Sequence, residues 1–162
     1  MQNIMPAKTT VNYDPAAALG VPTYVKAPVE SGSGATVTLL ASQSGSTFLF
    51  DRAAGITYTL PAPVVGLQYQ FVVTTAVTSN ADVIATDAAT TFLQGVAYAC
   101  IAAGTGGSFL GNGTSHVKVS MNGTTTGGLV GSIIRVTCVT ATQWNVEASL
   151  VGSGTLATPF ST

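Results

Sequence analysis

The stretch Leu67-Gln-Tyr-Gln-Phe-Val-Val73 decides the fold class of this chain. It alternates apolar and polar positions, so its Leu, Tyr, Phe and final Val fall on one face of a strand and its two Gln on the other. An amphipathic helix would instead place apolar residues three and four positions apart. The stretch therefore predicts a half-buried β-strand.

The same two-residue period recurs along most of the chain. It is present at residues 36–40, 56–60, 116–121, 134–138 and 144–150. The pairs Asn112-Gly113 and Asn122-Gly123 predict hairpin turns, because type I′ turns need a positive φ at both central residues. Residues 88–110 fit either strands or one poor helix broken at Gly95, and we interpret them as strands. We expect an all-β fold: an antiparallel β-sandwich or a small, jelly-roll-like β-barrel of eight to ten short strands.

The two ends of the chain differ from this body. Residues 1–35 contain four prolines and the run Ser31-Gly-Ser-Gly34, with isolated apolar side chains between them. They predict an extended N-terminal arm, with one helical turn at 14–19, before a body at 36–151 and a C-terminal tail at 152–162. An arm that packs on its own body remains the alternative. The residues predicted to contact other protein subunits are Val11, Tyr13, Leu19, Tyr24, Val25 and Phe160.

Charged residues are scarce. They make up 7% of the chain, against roughly 25% in ordinary globular proteins, and the formal net charge is −1. No Lys/Arg cluster is present to neutralise phosphates, which argues against nucleic acid as a partner. The longest apolar run, residues 96–103, is too short for a membrane helix, and the first residues lack the pattern of a secretory signal. We expect a protein made in the cytoplasm that associates with other protein surfaces.

The sequence offers little for catalysis or metal binding. Its one histidine, His116, is accompanied by no GxSxG motif, and a serine next to it would point to the opposite face of a strand. Asp82 and Asp87 are interpreted as loop acids that cap turns. Cys100 and Cys138 are interpreted as buried reduced thiols, with a disulfide left open. We expect no enzyme activity, cofactor or metal.

Several stretches resemble small head proteins of tailed bacteriophages. The clearest are Thr47-Phe-Leu-Phe-Asp-Arg-Ala-Ala-Gly-Ile-Thr-Tyr-Thr-Leu-Pro-Ala-Pro63, with residues 36–40, 66–75 and 112–128 adding to the likeness over residues 36–160. The resemblance is to capsid decoration, or cement, proteins. It implies a structural virion protein on the capsid exterior, with the major capsid protein and copies of itself, as a homotrimer, for partners.

The alternative function is a receptor- or glycan-binding domain of a phage fibre or spike. Its Thr-, Ser- and Asn-rich loops, with Trp144 or Tyr98, would then present a platform for a sugar. Trp144 lies in a strand of clean alternation, which favours a place in the core.

Overall fold

The computed structural model describes residues 28–31, 34–101 and 103–162. The described chain forms twelve strands and a single 3-10 turn, Ala41–Gln43. The strands are β1 Val29–Ser31, β2 Thr36–Thr38, β3 Thr47–Phe50, β4 Thr57–Thr59, β5 Gln68–Val73, β6 Asp82–Ala85, β7 Phe92–Ile101, β8 Gly106–Asn112, β9 Lys118–Met121, β10 Ile133–Thr140, β11 Gln143–Gly152 and β12 Phe160–Ser161. Within these residues no helix is long and apolar enough to span a membrane.

The strands form two sheets that pack face to face. One has seven strands in the order β1-β3-β5-β10-β11-β7-β8, and the other has five in the order β12-β9-β6-β4-β2. Most strands bury alternate side chains between the sheets, as β5 does with the pattern exposed–buried–intermediate–buried–intermediate–buried. The all-β sandwich predicted from the alternation is therefore confirmed, and residues 88–110 contain β7 and most of β8, as expected of strands.

Both sheets are mixed, which corrects the prediction of an antiparallel sandwich. Parallel pairing joins β1 to β3 and β3 to β5 in one sheet, and β2 to β4 and β4 to β6 in the other. From β1 to β6 the chain changes sheet at every step, so neighbours within a sheet are two strands apart in sequence and run in the same direction. These residues form three stacked coils, each with one strand in either sheet.

Aromatic side chains fill the space between the sheets. The Tyr58 ring lies 5.1 Å from Phe50 and 5.3 Å from Phe71, between centroids, and its hydroxyl donates to the Leu49 carbonyl at 2.7 Å. Trp144 is fully buried with its ring 5.9 Å from Tyr69, so the core position expected for it is confirmed. Each such side chain contributes roughly 1.5–3 kcal/mol through burial.

The two predicted ends overlap the sheets. β1 lies inside the predicted arm, yet it pairs with β3 as an edge strand of the larger sheet. β12 lies inside the predicted tail and pairs with β9. The boundaries at 36 and 151 are therefore wrong as limits of the folded body. The helical turn expected at 14–19 lies outside the described residues.

The two Asn-Gly pairs do not form hairpin turns. They stand in the crossovers from β8 to β9 and from β9 to β10, which change sheet, and only the glycines have a positive φ, 69° at Gly113 and 78° at Gly123. The Asn112 side-chain oxygen accepts backbone N–H bonds from residues 114 and 115, and that of Asn122 accepts them from residues 124 and 126. The asparagines therefore close five-residue loops through side-chain bonds, a role for which this residue type is suited.

Candidate interaction surface

The outward side of the seven-stranded sheet is here called the outer face. The strand registers place its side chains in three rows that cross the sheet. The rows are Leu49, Val72, Ile133, Ser149, Tyr98 and Ser108; Thr47, Gln70, Arg135, Glu147, Val96 and Leu110; and Gln68, Thr137, Asn145, Gln94 and Asn112.

Exposed apolar side chains neighbour one another at the β7–β8 end of the outer face, while Val29, 64% exposed, stands at the opposite edge on β1. Tyr98 is 63% exposed and Leu110 is 69% exposed. Val96 lies directly opposite Leu110, and Ile133 lies in the same row as Tyr98. Large apolar side chains that neighbour one another on a surface mark interaction sites more often than single exposed ones do.

An open groove of about 420 Å³ runs along β10, β11 and β7 on this face. Its lining includes Tyr98, Ile133, Asn145 and the cross-strand pair Arg135–Glu147. The Arg135 Nε donates to the Gln70 side-chain oxygen at 3.4 Å. Because the two charges have opposite sign and stand opposite each other, the centre of the outer face is close to electrically neutral. Such a surface suits apolar and neutral hydrogen-bonded contacts.

A second groove, of about 400 Å³, continues from the outer face at the end of β7 and β11. It is lined by apolar groups that include Cys100, Ile101, Leu129 and Val151. Cys100 is exposed, so the prediction of a buried thiol is wrong for it, whereas Cys138 is buried in the core as expected. Burial raises the pKa of the Cys138 thiol. Both cysteines are free, and no disulfide joins them.

The predicted contact residues are not brought together on a described surface. Val11, Tyr13, Leu19, Tyr24 and Val25 all lie outside the described residues. Phe160 is 3% exposed and belongs to the core cluster, so its prediction as a contact to another subunit is wrong. Phe160 stands alone near the end of the chain, so no alternation of apolar and polar residues indicates whether it is buried. Its burial follows from the pairing of β12 with β9.

The only histidine, His116, stabilises the loop between β8 and β9. The His116 Nδ1 accepts a bond from the Asn112 backbone N–H at 3.2 Å, and the imidazole stacks on the Phe160 ring with centroids 5.7 Å apart. The Ser115 hydroxyl accepts from the Asn112 side-chain amide at 2.8 Å. Across the described part of the chain, no three His, Cys, Asp or Glu side chains come together as a metal site.

Asp82 is the residue whose environment the sequence did not reveal. It is fully buried at the start of β6, where one carboxylate oxygen accepts the Ile56 N–H at 3.1 Å and the other oxygen has no partner within the described residues. Burial raises its pKa to about 7, and the bond from Ile56 opposes this in part. The prediction of a loop acid is wrong for Asp82, whereas Asp87 is an exposed residue between β6 and β7.

Comparison of the chain with family models, with curated proteins and with solved structures finds no match in any of the three. The functional interpretation therefore rests on the sequence, the fold and the outer face.

Proposed function

We propose that this chain is a structural virion protein that binds the outside of a phage capsid and stabilises it by bridging subunits of the major capsid protein. The observation that carries the proposal is the outer face: a broad, nearly neutral sheet surface with Tyr98 and Leu110 exposed at one end. The likeness of residues 36–160 to decoration proteins supports the same function.

The dimensions of the outer face suit a contact between proteins. Seven strands about 4.8 Å apart give a sheet roughly 30 Å wide, and the ten-residue strands β7 and β11 extend it roughly 30 Å in the other direction. Stable protein interfaces bury about 800 Å² on each partner, which such a face provides. A rigid sandwich that covers the joint between two capsid subunits adds contact area to both and so opposes their separation.

In the same proposal, the N-terminal arm binds a second capsid subunit. Residue 28 leads directly into β1, an edge strand of the larger sheet, so a chain that continues from it need not cross the body. The 27 residues before it span at most ~90 Å when fully extended. An arm that binds a neighbouring subunit makes the second contact intramolecular and raises its effective concentration. The copies also associate with one another in this proposal, as the homotrimer that the resemblance implies.

The proposal predicts many copies on the head of the virion. Quantitative gel densitometry of purified particles, with the band assigned by mass spectrometry, should give hundreds of copies per particle. Antibody labelling should place them on the capsid exterior, and particles that lack the protein should release their DNA at a lower temperature. A virion without the protein would contradict the proposal.

A glycan-binding tip is the second candidate, and Tyr98 is the observation that favours it. Its ring is 63% exposed beside a groove lined by Asn145, Arg135 and Glu147, an arrangement that offers stacking and hydrogen bonds to a sugar. Trp144 is fully buried and is not available for this purpose. A fibre tip would appear in a few copies at the tail, so the same densitometry and labelling separate the two functions.

Removal of residues 1–27 should weaken attachment to capsids at least tenfold while the body stays folded. The cut keeps β1 and its pairing with β3, so every strand pairing among the described residues is retained. Binding of the full chain and the truncated chain to stripped capsids would be compared by co-sedimentation, and circular dichroism would check the fold.

The matched control keeps the length of the arm and replaces its apolar side chains at 11, 13, 19, 24 and 25 by serine. This variant should bind as weakly as the truncated chain. Raising the salt concentration from about 0.05 to 0.5 M should change the affinity of the full chain little, because few charges are present to be screened. A truncated chain that binds as tightly as the full chain would refute the role of the arm.

A further inference from the structure

The strand at one edge of the larger sheet differs from every other described edge. The edges are β1 and β8 in the larger sheet and β2 and β12 in the smaller one. β1, β2 and β12 have two or three residues each, whereas β8 has seven. β1 also carries Glu30 and follows Pro28, while residues 88–115, which include β8, contain no charged residue and no proline. Proteins ordinarily protect long edge strands with charges, prolines or bulges.

The backbone of β8 presents unpaired groups along this edge. The bonds from the Ile101 N–H to the Thr105 carbonyl, 3.0 Å, and from the Gly113 N–H to the Leu93 carbonyl, 2.9 Å, set the phase of the antiparallel β7–β8 ladder. In that phase residues 107, 109 and 111 bond to β7. The N–H and carbonyl groups of Gly106, Ser108 and Leu110 point away from the sheet. Among the described residues, no turn or loop backbone group bonds to them.

We infer that β8 pairs with β8 of a second copy of this chain, antiparallel across a twofold axis at Ser108. In this register Ser108 stands opposite Ser108 of the other copy, and Gly106 stands opposite Leu110. Gly106, Ser108 and Leu110 of one copy then face the same three residues of the other copy. Their outward N–H and carbonyl groups form six backbone hydrogen bonds between the copies. A shift of one residue would set outward groups against groups already bonded to β7.

The side chains of β8 are complementary in size about the same axis. Leu110, 69% exposed, lies against Gly106 of the other copy on the outer face. Phe109 lies against Gly107 on the inner side, so each large side chain meets a residue with none. A shift of two residues would instead set Phe109 against Phe109. Since the strand holds no charge that would select a different partner, a second copy is the occupant that its sequence fits.

The pairing joins the two larger sheets into one sheet of fourteen strands. The row that contains Tyr98 and Ser108 then continues into Ser108 and Tyr98 of the second copy, so the exposed apolar ends of both outer faces become adjacent. The inference concerns the protein in solution and does not depend on the proposed attachment to a capsid. The twofold contact is separate from the threefold contacts of the homotrimer that the resemblance implies.

A lysine at the twofold axis tests the contact. In Ser108→Lys two ammonium groups would meet at the centre of the paired strands, which should raise the dimer dissociation constant at least tenfold. Ser149→Lys is the matched control, because it adds the same charge in the same row but on the internal strand β11. Sedimentation equilibrium of the full-length chain over the micromolar range measures both, and thermal melts check that each variant folds.

Three results would overturn the inference: a wild-type chain that stays monomeric over that range, a Ser108→Lys variant that associates as the wild type does, or equal weakening by both lysines. A trimer built through other surfaces would give the second result. The loss of self-association by Ser108→Lys alone supports the inference, whatever happens on capsids.

A disulfide tests the register. Opposed residues of a hydrogen-bonded antiparallel pair have Cα atoms about 5.5 Å apart, which a disulfide can span. In a Cys100→Ser background, which removes the exposed native thiol, Ser108→Cys should give a covalent dimer on a non-reducing gel under mild oxidation. Ser149→Cys in the same background should not, because five strand spacings, roughly 24 Å, would separate the two thiols. Equal cross-linking of both variants, or of neither, would contradict this register.

Discussion

Gly95→Ala is expected to lower the free energy of unfolding by about 4 kcal/mol or more, a large share of the 5–15 kcal/mol typical of a domain. Gly95 has a φ of 121°, which side-chain-bearing residues rarely adopt. A Cβ at this position would also lie 2.1 Å from the Val146 carbonyl oxygen. The backbone cannot shift to relieve the overlap, because β7 is bonded to β11 on one side and to β8 on the other.

Gly104→Ala is the control for this substitution. Gly104 also has a positive φ, 80°, but a Cβ there would meet no atom of the described residues within 4 Å. It should therefore lose only about 1–2 kcal/mol, the cost of the left-handed conformation alone. Urea unfolding followed by tryptophan fluorescence would measure both variants, with Trp144 as the only tryptophan. Equal losses of unfolding free energy in the two variants would show that the overlap with Val146 adds nothing to the destabilisation by Gly95→Ala.

Stability should fall as the pH rises from about 4 to about 7, because of Asp82. Its pKa is about 7 in the folded protein, against 3.8 for the free side chain, so the folded state retains a proton that the unfolded state releases. The contribution is fully present below the unfolded pKa and is lost as the pH passes through the folded pKa. A difference of about three pKa units corresponds to a free energy on the order of 4 kcal/mol.

Asp82→Asn should remove this pH dependence. The amide keeps an oxygen for the Ile56 N–H and carries no charge at any pH. At pH 8 the variant should be more stable than the wild type by up to a few kcal/mol, and at pH 4 the difference should nearly vanish. Asp87→Asn, at an exposed position, should leave the wild-type slope unchanged. The measurement is urea unfolding at several pH values, and a parallel pH profile for Asp82→Asn and the wild type would contradict the assignment.

The strands could be predicted from the sequence, whereas their pairing could not. The alternation in 67–73 and 144–150 marks one buried face, and that face is buried in the structure. The same alternation holds for parallel and antiparallel neighbours, so it carries no information about the direction of β3 or β4. The direction of a strand relative to its neighbour depends on whether the chain returns within the same sheet or crosses to the other sheet. Here the connections from β1 to β6 all cross to the other sheet.

The candidate surface, too, could be predicted from the sequence only in part, because the rest depends on how the strands pair. An aromatic side chain such as Tyr98 is a candidate platform from the sequence, but its exposure depends on no described segment covering the outer side of β7. The role of β8 depends on its place at an edge, which no local pattern encodes. An acid beside Asn80 and Ser79 is typical of a turn, so the sequence does not indicate the burial of Asp82. Its burial follows from the pairing of β6 with β4 and β9.

The three stacked coils have a mechanical consequence. A pull on the chain at residue 28 loads β1 first, which is held by its three-residue pairing with β3 and by side-chain bonds from Gln43 to Glu30 and from Ser31 to Asp51. Further extension detaches β2 from β4 and then β3 from β5, one coil after another. Strands β7 to β11 lie beyond the coils in the chain, so detachment that starts at residue 28 reaches them last. Force applied through the N-terminus is therefore dissipated in small successive steps before it reaches the strands that form most of the outer face.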